Sequence, residues 1–250
     1  MDPEPDVFML PDGRPIAFRY RPGAGPTLVF LPGYMSGMAG GKATALLAWA
    51  QQENRACLLL DYSGCGQSGG DFAEGTLSRW RDEVVALVEA RTRGPVLLIG
   101  SSMGGWLMLL VAEALNDAGG TRVAGLVGIA AAPDFTHWGR SAQDKARLAA
   151  GETIFASNPY GPEPTPMHPG FFADAQRLLR LESEIAIDCP VRLIHGQRDG
   201  EVPHEISLRL AAALRSGDIQ VTLVKDADHR LSRPQDIALL LRTVALLAGD

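Results

Sequence analysis

The chain has 250 residues, of which 46% are hydrophobic and 21% are charged, a composition typical of a globular protein with one sizeable core. A net charge of −6 without any basic stripe argues against a nucleic-acid partner. Three scattered cysteines, Cys57, Cys65 and Cys189, are too few for a disulfide framework or a zinc site.

The beginning of the chain, MDPEPDVFML, is acidic and lacks the basic and apolar regions of a signal peptide. No uninterrupted apolar run reaches the roughly 20 residues that a membrane helix needs. We therefore expect a cytoplasmic protein without a membrane span.

The elements predicted along the chain begin with a β-hairpin, formed by Val7–Leu10, the turn PDGR and the alternating Ile16, Phe18 and Tyr20. Short apolar strands and amphipathic helices then alternate. The predicted strands are Thr27–Leu31, Ala56–Leu60, Val96–Ile99, Val123–Ala130, Val191–His195 and Ile219–Val224. The predicted helices are Ala43–Gln52, Thr76–Arg91, Met103–Asn116, His204–Arg215 and Pro234–Leu247. This alternation predicts an α/β fold, with a mostly parallel, doubly wound sheet and helices on both faces.

The alternation stops between Pro133 and about Asp188, where the sequence shows no convincing strand. Helices are predicted at Ser141–Ala150 and Phe171–Leu181, on either side of the Pro-rich stretch SNPYGPEPTPMHPG. The segment carries too many large apolar side chains for a solvated linker: Trp138, Phe155, Tyr160, Phe171 and Phe172. We expect a single domain over residues 1–250 with a helical cap insertion at about 133–188; an ordinary helical insertion far from any site is the alternative.

A candidate nucleophile lies in LIGSSMGGWL, residues 98–107. The apolar run before Gly100 predicts a strand, and the residues from Met103 onward predict a helix, so Ser102 occupies the sharp turn of a G-x-S-x-G nucleophile elbow. A second match to the motif is centred on Ser68. It lies in a long Gly-rich loop with no helix directly after it, and we interpret it as a loop.

A serine hydroxyl needs a base that accepts its proton and an acid that orients that base. Because sites in open parallel sheets form beyond the carboxyl ends of the strands, the candidates are sought there. His229 follows the last predicted strand and is the candidate base. Of the other histidines, His195 is interpreted as structural, with the hydrogen-bonding groups of its ring satisfied in the turn. His204 lies at a helix start.

Asp199, in HGQRDGEVP after the strand Val191–His195, is the candidate acid. Asp134 is its rival, since AAPD also follows a strand. Asp226 and Asp228 are too close to His229 in sequence to reach round to its Nδ1. The chain order Ser, Asp, His is the order of α/β-hydrolases.

The oxyanion of an acyl transfer needs two hydrogen-bond donors. The backbone N–H of Met103 follows the nucleophile, and Tyr34, after Gly33 in LVFLPGYMSGMAGG, follows the predicted strand Thr27–Leu31. A plain Pro-Gly turn is the alternative for that loop. Candidate substrate-binding residues are Trp106, Trp138 and Tyr160; core packing is the competing interpretation for Trp106.

Together these motifs resemble the α/β-hydrolase superfamily. Five segments are similar to its group of mitochondrial acyl-glucuronide esterases and palmitoyl-protein thioesterases: LPGYMSGM, DYSGCGQSGGDFAEGTLSRWRDEV, GSSMGGWLML, CPVRLIHGQRDGEVP and DADHR. The resemblance runs from about Thr27 to the C-terminus and is weak across the cap. It places Ser102, Asp199 and His229 at the triad positions, whereas the missing mitochondrial leader suggests a different compartment.

The expected function is that of a serine hydrolase that cleaves carboxylic esters or thioesters through an acyl-enzyme on Ser102. Its substrate would be a small ester or acyl thioester, or an S-acylated protein, and neither a metal nor an organic cofactor is expected. A C–C bond hydrolase or a peptidase would use the same triad. A non-catalytic binding module with this fold is the alternative from outside the enzymes.

Overall fold

An eight-stranded sheet forms the centre of the computed structural model, which describes residues 4–117, 122–158 and 161–249. Its strands in chain order are β1 (Asp6–Met9), β2 (Pro15–Arg21), β3 (Ala24–Leu31), β4 (Arg55–Leu60), β5 (Val96–Ser101), β6 (Val123–Ile129), β9 (Val191–Gly196) and β10 (Ile219–Val224). Two further strands, β7 (Ile154–Ala156) and β8 (Thr165–Met167), form a separate hairpin. The order across the large sheet is β1-β2-β4-β3-β5-β6-β9-β10.

The pairing within the sheet is antiparallel only at one edge, among the described residues. There β1 pairs with β2 and β2 with β4, while all other neighbouring strands run parallel. The mostly parallel, doubly wound α/β fold expected from the sequence is confirmed. The carboxyl ends of β5, β9 and β10 therefore lie at the same edge of the sheet.

Helices cover both faces of the sheet. They are α1 (Gly41–Gln52), α2 (Leu77–Arg91), α3 (Met103–Asp117), α4 (Phe135–Trp138), α5 (Ala142–Ala149), α6 (Pro169–Gln176), α7 (Glu205–Ala213) and α8 (Pro234–Ala248), with a short 3-10 helix at Phe72–Glu74. Buried apolar residues of α1 and α8 form one cluster, and those of α2 and α3, with Leu210 of α7, form the other large cluster.

The strands divide their side chains between these two clusters. In β3, Leu28 and Phe30 belong to the cluster of α1 and α8, and Val29 and Leu31 belong to the other. Successive side chains of a strand point to opposite faces, so a strand covered on both sides must be apolar throughout. This requirement explains the uninterrupted apolar runs in the sequence.

The segment 133–188 contains the hairpin of β7 and β8, and the expectation that it holds no strand is wrong. Each strand has three residues, Pro166 lies within β8, and Phe155 in β7 is 66% exposed. Strands this short show no alternation that a sequence pattern could reveal. Only the pairing of Ile154 with Met167 and of Ala156 with Thr165 defines them.

The predicted helix Phe171–Leu181 begins earlier and ends earlier than expected, because α6 covers Pro169–Gln176. Proline is favoured in the first turn of a helix, which accounts for the early start. Beyond the helix, the backbone N–H groups of Arg180 and Leu181 donate to the carboxylate of Asp134 at 2.8–3.0 Å instead of continuing the helical ladder.

Hydrogen bonds attach the segment 133–188 to α2 and α3. Ser78 at the start of α2 donates from its backbone N–H and its hydroxyl to Asp174, both at 2.8 Å. Arg180 pairs with Glu113 of α3 at 2.9 Å. These polar contacts fix the segment over the end of the sheet that carries the strand carboxyl ends.

None of the helices in the described part of the chain is long and apolar enough to cross a membrane.

Gly104, the second residue of α3, lies against the end of β3. A Cβ atom there would come within 2.1 Å of the backbone oxygen of Leu31. Replacing glycine by alanine in a helix ordinarily stabilises a protein by about 1 kcal/mol. For Gly104→Ala we expect the reverse, a loss of about 1–3 kcal/mol in the free energy of unfolding, because the backbone contact must open. Urea denaturation measures it.

Gly170→Ala is the matched control. Gly170 is also the second residue of its helix, α6, but has no atom within 4 Å of its Cβ position. We expect unchanged or increased stability for this variant. Equal stabilities of the Gly104 and Gly170 variants would contradict the close packing of α3 on β3.

Candidate active site

Ser102 occupies the turn between β5 and α3 with φ = 55°, a left-handed backbone that is costly for any residue other than glycine. Neighbouring strands hold it there. Its N–H donates to the carbonyl oxygen of Ile129 at 2.9 Å, and its own carbonyl accepts from the N–H groups of Gly105 at 2.8 Å and Ala132 at 3.0 Å. These bonds present the side chain at the carboxyl edge of the sheet.

His229 lies in the loop after β10, and its ring joins Ser102 to Asp199. Its Nε2 is 3.0 Å from Ser102 Oγ, and its Nδ1 is 2.7 Å from Asp199 Oδ2. The side chain of His229 is 12% exposed and that of Asp199 is fully buried. The structure therefore brings together the three residues singled out in the sequence, at distances suitable for proton transfer.

The carboxylate of Asp199 accepts hydrogen bonds at both oxygens. Oδ1 accepts from the backbone N–H groups of Glu201 at 2.9 Å and Val202 at 2.8 Å, and Oδ2 is shared by His229 and His195. Burial pushes the pKa of Asp199 upward, but the hydrogen bonds from the two histidines and the charge of His229 outweigh it. The pKa of this carboxyl lies below its usual value, so it stays ionised near neutral pH.

His195 contacts this carboxylate directly, a contact that the sequence interpretation missed. Its buried ring has Nε2 3.1 Å from Asp199 Oδ2 and 2.9 Å from the carbonyl oxygen of Val202. Since both of these groups can only accept, Nε2 carries the proton. Nδ1, 2.7 Å from Ser207 Oγ, then accepts from that hydroxyl. The i, i+4 spacing in HGQRD was the available signal.

The rival acids have other partners. Asp134 is buried and accepts from the backbone at residues 180 and 181, as described above. Asp226 pairs with Arg198 at 2.9 Å. Asp228 accepts from the backbone N–H groups of the two residues that follow His229, at 3.1 and 3.2 Å. Among the described contacts, none of these three carboxylates bonds to the His229 ring.

The rival nucleophiles are also accounted for. Ser68 Oγ donates to the backbone oxygen of Asp61 at 2.6 Å and accepts from the N–H of Ala17 at 2.8 Å, so it ties a loop to β2. Burial raises the pKa of the Cys65 thiol to about 12, which leaves almost no thiolate at neutral pH.

The predicted oxyanion donors lie next to Ser102. A Cβ placed on Gly33 would lie 3.3 Å from the Cβ of Ser102, so the Gly33–Tyr34 backbone passes directly beside that serine. Met103 is the first residue of α3, where N–H groups have no helical partner. Within the described residues, the N–H groups of Tyr34 and Met103 donate to no protein acceptor.

The side chain of Tyr34 fixes this loop. Its hydroxyl donates to the carbonyl oxygen of Pro166 in β8 at 3.0 Å. Its ring lies 5.1 Å from the rings of both Phe72 and Phe171, in edge contacts. Burial raises the pKa of the phenol well above its usual value, which keeps the hydroxyl a donor. The segment 133–188 therefore holds the backbone that flanks the nucleophile.

A cavity of about 540 Å³ opens over Ser102 and His229, within the size range of small-ligand sites. Trp138 lines it and donates from its indole N–H to the Pro133 carbonyl oxygen. Trp106 does not line it. Its side chain is fully buried and donates to the carbonyl oxygen of Leu178, so core packing is the correct interpretation.

The remaining predicted substrate residue, Tyr160, lies outside the described residues.

Residues 28–239 match the alpha/beta hydrolase family. The chain belongs to this family, as the resemblance in its motifs suggested. The class of hydrolases that act on ester bonds, expected from the sequence, is confirmed by relatives that are named thioesterases.

Particular relatives are similar over nearly the whole chain. The human protein named palmitoyl-protein thioesterase ABHD10, mitochondrial, is 34% identical over 238 residues, which cover 94% of this chain and 76% of the human protein. A crystal structure of a putative hydrolase from Agrobacterium vitis has a TM-score of 0.90 and 35% identity, covering 97% of both chains. The structure of mouse alpha/beta hydrolase domain-containing protein 10 has a TM-score of 0.89 and 33% identity, covering 98% of both chains.

The cytoplasmic location expected from the sequence is contradicted by these comparisons. The matched human, orangutan and mouse proteins are all named mitochondrial. The acidic first residues, on which the expectation rested, give no support for a cytoplasmic location.

We expect His195 to act as a positioning residue, because it supplies one of the hydrogen bonds that orient Asp199. His195→Phe removes the donor at Nε2 and should lower kcat on an ester about 10- to 100-fold, the effect of one bond to a charged group. KM should change less than about twofold, because His195 does not line the cavity. Steady-state kinetics with the pH profile of kcat tests this.

His195→Gln, which keeps an N–H donor, should recover part of the lost kcat. His204→Gln is the surface control, since that side chain is 29% exposed and does not line the cavity. A normal kcat in both His195 variants would mean that Asp199 is held without this ring.

Proposed function

We propose that the protein is a serine hydrolase that cleaves carboxylic esters and thioesters by transferring the acyl group to Ser102. The observation that carries the proposal is the continuous hydrogen-bonded chain from Ser102 Oγ through His229 to Asp199, with distances of 3.0 and 2.7 Å. Ser102 and His229 line the cavity of about 540 Å³. A proton can pass from the hydroxyl to the imidazole while the buried carboxylate stabilises the imidazolium.

In the first half-reaction, Ser102 Oγ attacks the acyl carbon as His229 Nε2 accepts the hydroxyl proton. The carbonyl oxygen becomes an oxyanion, and the N–H groups of Tyr34 and Met103 donate to it. The bond from the acyl carbon to the leaving oxygen or sulfur then breaks. His229 donates its proton to that atom, and an alcohol or thiol departs from the acyl-enzyme.

In the second half-reaction, a water molecule attacks the acyl carbon on Ser102 while His229 accepts one of its protons. The tetrahedral intermediate collapses, the bond to Ser102 Oγ breaks, and His229 returns the proton to that oxygen. The products are a carboxylic acid and the free enzyme. Every proton transfer in this cycle uses His229 alone, so the acid and base roles need no further titratable group.

We assign the segment 133–188 as a cap on the single domain. It contributes Phe135, Trp138 and Ala156 to the cavity that contains Ser102. Apolar side chains on this side suit an acyl chain, and the thioesterase relatives favour acyl thioesters of small thiols or of proteins as substrates. The cap would select the acyl group, whereas the strand ends would supply the chemistry.

Replacing the nucleophile tests the proposal at its root. The wild type should react covalently with a fluorophosphonate probe, and Ser102→Ala should lose both the label and more than about 99.9% of p-nitrophenyl ester and acyl thioester hydrolysis. In-gel fluorescence and a panel of acyl chain lengths measure these outcomes.

Ser68→Ala is the control, since Ser68 is the centre of the other G-x-S-x-G sequence. This variant should still react with the probe. If the Ser102→Ala variant is still labelled, or if the wild type is not labelled, Ser102 is not the nucleophile.

A pair of aspartate variants separates the acid from its rival. Asp199→Asn should lower kcat about 10³- to 10⁴-fold, because an amide favours the wrong tautomer of His229 and cannot stabilise the imidazolium. Asp134→Asn replaces a carboxylate that bonds only to backbone N–H groups in the described contacts. This variant should have a lower melting temperature, with kcat within about threefold of the wild-type value. Kinetics and thermal unfolding of both proteins check this; equal losses of kcat would reopen the choice of acid.

A further inference from the structure

Arg140 follows α4 and lines the same cavity as Ser102 and His229. The residue is half-buried, and its Nε is shielded from solvent. Within the part of the chain that the structure describes, this Nε has no hydrogen-bond acceptor, and the guanidinium forms no ion pair. The other described arginines of the cap are paired: Arg147 with Glu152, Arg177 with Asp174 and Arg180 with Glu113.

A shielded charged donor without an acceptor is unfavourable. Leaving such a group unsatisfied costs about 1–3 kcal/mol or more, and native structures keep few of them. Groups that a ligand, an ion or a reaction uses are among the exceptions. A second Nε of this kind, that of Arg122, does not line the cavity, whereas that of Arg140 belongs to a residue of the cavity wall. The position of Arg140 on the cavity wall therefore indicates that its acceptor is a molecule bound in the cavity.

The charges around the cavity favour an anionic acceptor. The described residues that line it include three cationic side chains, Lys42, Arg140 and Arg230, and one carboxylate, Glu201. The chain as a whole has a net charge of −6, so this local excess of positive charge runs against the overall composition. Cavities lined by one sign of charge concentrate ligands of the opposite sign.

Lys42 and Arg140 differ in the hydrogen bonds that they form within the protein. Lys42 Nζ donates to the backbone oxygen of Arg230, so its ammonium is already used in the wall. Arg140 offers a planar guanidinium, whose fork of N–H donors matches two oxygens of a carboxylate or phosphate. Of the two, Arg140 is the group able to form a directed, bidentate contact.

We propose that Arg140 binds an anionic group, a carboxylate or a phosphate, on the substrate whose acyl carbon is attacked by Ser102. The inference rests on the proposed hydrolase function and narrows its substrates to esters or thioesters that carry such an anion. Arg140 forms no hydrogen bond or ion pair with the triad in the described structure, so its contact would form in the bound substrate as well as in the transition state. Its loss should then raise KM more than it lowers kcat.

The test uses four thioesters that carry either no anion, a carboxylate on the thiol, phosphates on the thiol or a carboxylate on the acyl group. One butyryl group is attached to N-acetylcysteamine, which is neutral, to N-acetylcysteine, which adds a carboxylate, or to coenzyme A, which adds phosphates. Glutaryl-N-acetylcysteamine places a carboxylate on the acyl side instead. Wild type, Arg140→Gln, Arg140→Lys and the control Arg147→Gln are compared, since Arg147 is 46% exposed and pairs with Glu152.

We expect Arg140→Gln to lower kcat/KM about 10- to 100-fold on at least one anionic thioester, the effect of losing a charge-assisted contact. The neutral thioester should stay within about twofold. The anionic compound that responds identifies the source of the anion. Arg140→Lys, which keeps the charge but loses the fork, should fall between, and Arg147→Gln should match the wild type.

Equal losses on the neutral and anionic thioesters, or no loss on any anionic one, would overturn the role of Arg140. In both cases hydrolysis of the neutral thioester by the wild type leaves the proposed function intact. A wild type that hydrolyses no thioester and no ester would refute the proposed function itself, and the inference about Arg140 with it.

Discussion

The left-handed turn at Ser102 is the constraint on which the rest of the site depends. A serine with φ = 55° is unfavourable alone, and it persists because the backbone is bonded to β6 and to the first turn of α3. That packing leaves no space at Gly100, where a Cβ would lie 2.3 Å from the backbone oxygen of Gly104. Ser102 can therefore occupy this turn at the sheet edge only because Gly100 and Gly104 have no side chains.

The buried carboxylate of Asp199 is the second fixed point. It collects two backbone donors from its own loop and one donor from each of His195 and His229. The loop after β9 is in this way joined to the loop after β10, which carries His229. Parallel strands bring these loops to the same edge, but this carboxylate sets the distance between them.

The segment 133–188 contributes in two ways. Through Tyr34, whose hydroxyl bonds to Pro166, it holds the loop beside the nucleophile. Through Trp138 and Arg140 it forms part of the cavity wall. In the sequence, the segment 133–188 and the loop at Gly33–Tyr34 are separate features, whereas in the structure the side chain of Tyr34 links them. The segment thus both contacts the loop beside Ser102 and lines the cavity.

The sequence by itself determined the mostly parallel α/β fold, the turn at Ser102 and the chain positions of the candidate acid and base. Each depends on local patterns: apolar runs of strand length, a Gly-flanked serine between a strand and a helix, and polar residues directly after strands. The tertiary structure decided what depends on distant contacts. It separated Asp199 from Asp134, placed Trp106 in the core and, among the described residues, left the Nε of Arg140 without a hydrogen-bond acceptor. The contacts that settle these outcomes join residues 30, 46 and 72 positions apart in the chain, and no local pattern encodes which side chains will meet at such separations.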